Sequence, residues 1–174
     1  MKILILYASI EGQTEKIARH VAREVRGTGH EDVLVDIGGS GPRPEFDGVD
    51  KVILAAPVHE RRHPEGFEVC VAACRKELAA RPTLMLSVSM NAAFAEGAEE
   101  AQDYVVEMEM RTGFRPTEVA LVAGAIRTHH YDYFAAQVVR HVVMRGRDYD
   151  PDAGEHEFTD WGALDTTVKA FLNR

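Results

Sequence analysis

The first eight residues constrain the fold more than any other feature of the chain. Ile and Leu follow one another almost without interruption between Lys2 and Ala8, and polar residues do not alternate with them. This pattern is typical of a parallel strand that helices cover on both faces. Apolar residues then recur at helical spacing between Thr14 and Arg26, and Gly27 and Gly29 end that helix. The chain therefore begins with a strand, a short loop and a helix.

The same alternation continues along the rest of the chain. Five strands alternating with helices predict a parallel, right-handed sheet between two helical layers. The length of 174 residues suits one domain, so residues 1–174 are predicted as a single domain. The further strands are predicted at Val33–Val35, Lys51–Ala56, Thr83–Val88 and Glu118–Ala125, and the further helices from Pro64, over Ala98–Arg111 and from Trp161.

Residues 126–158 interrupt the alternation before the last helix, and we interpret them as an insertion after the fifth strand. Apolar residues at helical spacing between Phe134 and Val143, with basic residues around them, predict an amphipathic helix there. The acidic residues between Asp150 and Asp160 are typical of a solvated loop.

Composition disfavours several classes of partner. The formal net charge of -8 argues against nucleic acid, which needs dense Lys and Arg on one face, and it also disfavours acidic membranes.

Cys70 and Cys74 share one face of a predicted helix, where disulfide geometry is hard to reach. We expect them to be buried thiols in a reducing cytoplasm. No second cysteine pair follows, so no metal site is predicted.

The loop between the first strand and the first helix is the best candidate for a binding site. Open parallel sheets bind ligands at the carboxyl ends of their strands. Residues 9–14 lead from there into a helix N-terminus, where unpaired N–H groups and the helix dipole favour a phosphate. Gly12 permits close backbone approach, and Ser9 and Thr14 offer hydroxyl groups. On these residues alone, simple capping of the helix remains the alternative.

Other nucleotide-binding families fit less well. The loop contains neither Gly-x-Gly-x-x-Gly nor Gly-Lys-Ser/Thr, which disfavours dinucleotide and P-loop nucleotide binding. A receiver domain would carry an Asp at the end of the third strand, where this chain has Ala56 and Pro57.

The run from Ile5 to Ala18, Ile-Leu-Tyr-Ala-Ser-Ile-Glu-Gly-Gln-Thr-Glu-Lys-Ile-Ala, resembles the flavodoxin signature at every position. Flavodoxins hold the phosphate of FMN in this loop. The resemblance therefore implies a flavodoxin-like three-layer α/β/α fold, FMN as cofactor, and a phosphate held by Ser9, Gly12, Gln13 and Thr14. With the loops after strands three and four, the implied cofactor contacts are Ser9, Ile10, Glu11, Gly12, Gln13, Thr14, Pro57, Val58, His59, Ser89, Met90, Asn91 and Phe94.

Glu11 differs from ordinary flavodoxins, which tend to carry a hydroxyl residue there. A carboxylate repels a phosphate, so we expect Glu11 to point away from it. An acid before Gly-Gln-Thr is more similar to the flavodoxin-type, menaquinone-dependent protoporphyrinogen IX dehydrogenases. The likeness continues nearly end to end, through His63, Phe114-Arg115-Pro116, Val122–Arg127 and Thr159-Asp160-Trp161.

Several loop side chains are candidates for contact with the flavin ring or for catalysis. Phe94 could stack on the ring, as aromatic residues do in flavodoxins. His59 and His63 are the catalytic candidates, because histidine exchanges protons near neutral pH. An anchoring role for Phe94 and a solvated position for the histidines remain the alternatives.

A second group of side chains is a candidate substrate rim. Guanidinium groups suit carboxylates such as the propionates of a porphyrin. The substrate candidates, for which an ordinary loop position remains the alternative, are Arg61, Arg62, Arg127, His129 and His130.

Three functions are compatible with these features. The first is an FMN-dependent dehydrogenase resembling the protoporphyrinogen enzyme, with a quinone as acceptor and a place in haem biosynthesis. The second is an acidic electron-carrier flavodoxin that docks on basic redox partner proteins. The third is an interaction module that has lost its flavin. Peripheral contact with the inner face of the cell membrane and homo-oligomer formation are left open.

Overall fold

A computed structural model describes residues 1–39, 41, 43–127 and 155–174. The amphipathic helix predicted between Phe134 and Val143 lies outside these residues, as do the substrate candidates His129 and His130. Among the helices that the structure describes, none is long and apolar enough to cross a membrane.

Five parallel strands form the central sheet in the order β2-β1-β3-β4-β5. This order and the helices on both faces confirm the predicted flavodoxin-like three-layer fold. The strands are β1 (Lys2–Tyr7), β2 (Glu31–Asp36), β3 (Lys51–Pro57), β4 (Thr83–Ser89) and β5 (Glu118–Ala123). The described helices are α1 (Gln13–Gly27), α2 (Glu65–Ala73), α3 (Arg75–Ala79), α4 (Ala98–Thr112) and α5 (Trp161–Leu172).

Strand β1, in the interior of the sheet, is buried on both faces, as its unbroken apolar run predicts. Ile5 pairs with Leu34 of β2 on one side and with Ile53 of β3 on the other. The side chains of Ile3 and Ile5 pack in one core with α1 and α5, while those of Leu4 and Leu6 pack in a second core with α2 and α4. Loops, and not these two cores, surround the carboxyl end of the sheet.

Polar contacts fix the last helix to the rest of the fold. The buried ammonium group of Lys51 in β3 donates hydrogen bonds to the carbonyl oxygens of Phe171 and Leu172, at 2.8 and 3.1 Å. These bonds satisfy carbonyl groups that the end of α5 leaves without helical partners. Nε2 of His20 in α1 lies 2.6 Å from a carboxylate oxygen of Asp165. The last helix is thereby held against both α1 and the sheet.

Two predicted elements differ in detail. The helix predicted from Pro64 is interrupted at Cys74, where φ is -101° and ψ is 12°, so that α2 and α3 are separate. The inward spacing of apolar residues continues across this interruption, which is why the sequence pattern does not reveal it. The fifth strand ends at Ala123 instead of Ala125. Residues 125–127 form a strand of a second, smaller sheet.

The prediction of a solvated acidic loop is wrong for residues 155–160. Strand β7 (Glu155–Glu157) pairs antiparallel with β6 (Ala125–Arg127), and we call this pair the stem. Asp160 caps α5, because its carboxylate accepts a hydrogen bond of 2.9 Å from the amide of Ala163. Acidic residues in this run therefore serve as strand and cap residues, a role that charge alone does not reveal. The earlier part of the run, with Asp150 and Asp152, lies outside the described residues.

Candidate functional site

The loop from residue 9 to residue 14 is shaped to receive an anion. Gly12 has a φ of +89°, in the left-handed region that favours glycine. The amide of Gly12 donates a hydrogen bond of 3.0 Å to Oγ of Ser9, and α1 begins immediately afterwards at Gln13. Among the described residues, no side chain caps this end of α1. A helix N-terminus without a capping side chain is a suitable place for a phosphate.

A cleft opens beside this loop at the carboxyl ends of the parallel strands. It is lined by residues at or just after the ends of β1, β3, β4 and β5, at the edge of the sheet where such folds bind their ligands. An anion site at one end and largely apolar walls fit the phosphate and the ring system of FMN. The lining residues are Ile10, Glu11, Gln13, Thr14, Pro57, Val58, His59, Val88, Ser89, Met90, Gly124 and Ala125.

Nine of the thirteen predicted cofactor contacts line this cleft, Ser9 and Gly12 lie in the loop beside it, and two others make their contacts elsewhere. The side-chain amide of Asn91 donates a 3.0 Å hydrogen bond to the hydroxyl of Tyr104, which fixes the loop after β4 to α4. Phe94 makes an edge contact with Phe158, with 5.7 Å between the ring centroids. Neither residue lines the cleft. Stacking of Phe94 on a flavin ring, and the orientation of Glu11 away from the phosphate, stay predictions.

A tight turn carries His59, the exposed histidine of the cleft. The backbones of His59 and Arg62 exchange two hydrogen bonds, of 2.9 and 3.1 Å, around Glu60 and Arg61. Both of these central residues have positive φ values, 49° and 66°, although neither is glycine or asparagine. Such a conformation costs roughly 1 kcal/mol or more per residue, so the surrounding contacts must hold the turn.

Those contacts come from two ion pairs. Arg61 pairs with Glu100 at the start of α4 and lies over the ring of Tyr104, with its guanidinium carbon 5.8 Å from the ring centroid. Arg62 donates two hydrogen bonds, of 3.0 and 2.7 Å, to one carboxylate oxygen of Glu68. The two candidate substrate arginines of this turn therefore already have an acidic partner. Arg61 is the more accessible of the two, since 73% of its side chain is exposed.

Glu68 is the buried centre of this arrangement. Its side chain is 5% exposed and also accepts hydrogen bonds of 3.0 and 3.1 Å from Nε of Arg111 in α4. We expect Glu68→Gln to lower the free energy of unfolding by about 1.5 kcal/mol, because a charge-assisted pair is lost while both arginines can still reach water. Urea denaturation measures this difference.

The matched control for Glu68 is Glu107, a half-exposed carboxylate that pairs with the same Arg111 at 3.1 Å. Exposed pairs of this kind contribute little, so Glu107→Gln should change the unfolding free energy by no more than about 0.5 kcal/mol. Equal losses in the two variants would contradict a special role for Glu68.

His63, the second catalytic candidate, lies in the core. Its side chain is 1% exposed, Nε2 lies 3.1 Å from Oγ of Ser87, and the ring packs against Phe67. Burial, assisted by the nearby positive charge of Arg111, lowers the pKa of His63 to about 4. His63 is therefore neutral at pH 7. It packs beneath the loop that follows β3 and does not line the cleft.

Sequence reasoning missed several residues at this site. Val88, Gly124 and Ala125 line the cleft, and Gln13 donates hydrogen bonds to Glu157 and Thr159. The stem places Glu157 beside α1, although the two are far apart in sequence. No local sequence pattern predicts this contact. The backbone of Arg127 lies in β6, beside Glu155 of β7.

One group of side chains has the residue types of a metal site. The ligand atoms of His20, Glu24 and Asp165 lie within 4.8 Å of one another. His20 contacts Asp165 directly at 2.6 Å, and the ammonium group of Lys169 lies 3.2 Å from Glu24. These contacts make the group a set of polar contacts that joins α1 to α5.

Known redox proteins are similar to this chain over most of its length. Protoporphyrinogen IX dehydrogenase [quinone] of Escherichia coli (strain K12) is 24% identical over 162 residues, which is 92% of this chain and 89% of that protein. Oxidised flavodoxin 1 from Bacillus cereus superposes with a TM-score of 0.59 at 18% identity, over 100% of this chain and 99% of the other. A mutant of flavodoxin from Pseudomonas aeruginosa gives a TM-score of 0.52 at 16% identity, over 99% of both chains.

The family assignment rests on most of the chain. A sequence model of the flavodoxin domain matches residues 4–153, which include the loop of residues 9–14, here called the phosphate loop, all but the first two residues of β1, and strands β2 to β5. This match confirms the predicted resemblance and indicates FMN as the cofactor. The chain belongs to the flavodoxin domain family.

Proposed function

We propose that this protein is an FMN-dependent dehydrogenase that acts on a porphyrinogen and passes the electrons to a quinone, in haem biosynthesis. The observation that carries the proposal is the match to the E. coli dehydrogenase over 92% of this chain and 89% of that protein. A match that leaves out so little of either chain extends past the five-stranded core into residues 126–158.

The phosphate end of the cleft supports this proposal by the way it would hold the cofactor. The first N–H groups of α1 and the hydroxyl of Thr14 bind the phosphate, and the left-handed Gly12 lets the backbone approach it. When bound, FMN supplies the electron transfer, and the protein supplies binding, orientation and exclusion of water.

The ring end of the cleft supports a small-molecule substrate. Pro57, Val58 and Met90 give this end an apolar wall that excludes water from the ring. His59 stands at its exposed side and is the described residue best placed to exchange a proton with a ligand there. Arg61, on the same turn, exchanges Glu100 for a carboxylate of the substrate.

An electron-carrier function is the second candidate, and the charge of the chain favours it. The formal net charge of -8 suits docking on a basic redox partner. Helix α4, which follows the loop after β4, contributes Glu99, Glu100 and Asp103 near its start. In this case the protein would bind FMN equally well but would turn over no porphyrinogen.

An anaerobic assay separates the two functions. The FMN-loaded protein is mixed with protoporphyrinogen IX and a menaquinone, and the fluorescence of the oxidised porphyrin is followed. The dehydrogenase proposal expects porphyrin formation that depends on both the protein and the quinone. Transfer of electrons to a basic haem protein without any porphyrinogen oxidation would overturn it in favour of the carrier.

The proposal includes a location in the cytoplasm, with contact to the inner face of the membrane where quinones reside.

A further inference from the structure

Glu157 is the point at which the stem meets the phosphate loop. Its carboxylate accepts a hydrogen bond of 3.1 Å from the side-chain amide of Gln13, the first residue of α1. It also accepts a hydrogen bond from the ammonium group of Lys16, one turn further along α1. One carboxylate of β7 is thus bonded to two residues of the helix whose N-terminus forms the anion site.

The last helix is joined to the same carboxylate. The indole N–H of Trp161 donates a hydrogen bond of 2.8 Å to Glu157, and the ammonium group of Lys16 lies 5.3 Å from the centroid of the indole ring. Burial alone would raise the pKa of Glu157, but the hydrogen bonds from Lys16, Trp161 and Gln13 together hold it below the usual range. The carboxylate is therefore charged at neutral pH, and its side chain is 25% exposed.

The stem is also attached to the wall of the cleft. The same amide of Gln13 donates a 3.0 Å hydrogen bond to the hydroxyl of Thr159, which in turn donates a 2.7 Å hydrogen bond to the carbonyl of Ala123. The amide of Phe158 donates a 3.0 Å hydrogen bond to the carbonyl of Gly124, a lining residue of the cleft. Through Glu157 and the two residues that follow it, the stem is therefore joined to both the phosphate end and the side wall of the cofactor site.

We propose that Glu157 is a positioning residue that couples the stem to the phosphate loop, so that FMN binding and docking of the stem strengthen each other. Glu157 holds Gln13 and Lys16 in place, and with them the first turn of α1 that receives the phosphate. The coupling is reciprocal. If the docked stem raises the affinity of the loop for FMN, bound FMN stabilises the docked stem by the same free energy. The proposal rests on FMN binding in the cleft and is independent of the substrate.

The experiment compares Glu157→Ala with Glu118→Ala. Glu118 is a suitable control because it pairs with Arg174 at 3.2 Å, is 23% exposed and begins β5, at the opposite end of the sheet from the cleft. Glu157→Ala should raise the Kd for FMN about tenfold, whereas Glu118→Ala should leave it unchanged. Lys16→Met should add little to the loss in Glu157→Ala, because both variants remove the same contact.

Two further measurements report on the stem itself. Hydrogen exchange of residues 125–127 and 155–157 should slow on addition of FMN in the wild-type protein and in Glu118→Ala, and this protection should be lost in Glu157→Ala. Trp161 is the single tryptophan of the chain, so its fluorescence reports the loss of the Glu157 contact directly. Melting temperatures confirm that the variants fold.

An FMN Kd within twofold of the wild-type value in Glu157→Ala, together with unchanged protection of the stem, would overturn the coupling. Failure of the porphyrinogen assay would not affect this result, because neither affinity nor exchange requires a substrate. The coupling and the dehydrogenase activity can therefore fail separately.

Discussion

Acidification from pH 6.5 to pH 4 is expected to cost the wild-type protein about 3 kcal/mol more unfolding free energy than it costs the His63→Gln variant. Burial and the charge of Arg111 lower the pKa of His63 to about 4 in the folded protein, while the unfolded chain keeps the ordinary value of 6.5. Between these two values the unfolded state binds a proton that the folded state does not. Stability therefore falls as the pH falls, by about 1.4 kcal/mol for each pH unit, and the loss levels off below pH 4.

Urea denaturation at several pH values measures this effect. Carboxylates also titrate in the range, so the informative quantity is the difference between wild type and variant. Glutamine retains a hydrogen-bonding group toward Ser87, which limits other losses in His63→Gln. The control is His59→Gln, which removes the exposed histidine of the same turn and should keep the acid sensitivity of the wild type. Parallel curves for the wild-type protein and His63→Gln would show that His63 is not held neutral by the core.

The position of His63 shows where sequence reasoning stops. The pattern correctly placed His63 in the loop after β3 and identified histidine as a residue able to exchange protons. Whether that side chain turns to the cleft or to the core depends on Ser87, Phe67 and Arg111, which come from β4, α2 and α4. Contacts of this kind are tertiary and leave no periodic signal in the sequence.

The arginines of the same turn illustrate the same limit. Arg61 and Arg62 were predicted as partners for a substrate carboxylate from their chemistry alone. In the folded chain, Glu100 and Glu68 already occupy them, and these acids lie 39 and 6 residues away in sequence. A charged residue next to a binding site is therefore not necessarily free for a ligand.

Local features, by contrast, were predictable. The unbroken apolar run of β1 can be buried only between two helical layers, and apolar spacing identified the inward faces of α1 and α4. The loop from residue 9 to residue 14 was predicted as a phosphate site through its resemblance to the flavodoxin signature, because a glycine between a strand and a helix also occurs where the loop merely caps the helix. The stem was not predictable, because its strands are three residues long and are separated by residues 128–154.

Replacement of Gly12 by valine is expected to raise the Kd for FMN about a hundredfold. Gly12 has a φ of +89°, and a β-branched residue pays up to about 3 kcal/mol in that conformation. A valine lets the empty loop relax to a negative φ, so that FMN binding must restore the strained conformation. A cost of about 3 kcal/mol corresponds to roughly a hundredfold in affinity. Titration of the apoprotein with FMN, followed by the quenching of flavin fluorescence, measures the change.

Gly29 provides the matched control for this substitution. Its φ is +79°, nothing lies within 4 Å of a Cβ built there, and it follows the opposite end of α1 from the cleft. Gly29→Val introduces backbone strain of the same kind, yet it should bind FMN with wild-type affinity because Gly29 lies away from the cleft. Equal FMN affinities in Gly12→Val and Gly29→Val would mean that the loop from residue 9 to residue 14 does not hold the phosphate. A loss of FMN affinity in Gly12→Val alone would show that glycine is needed at position 12 for cofactor binding and not only for folding.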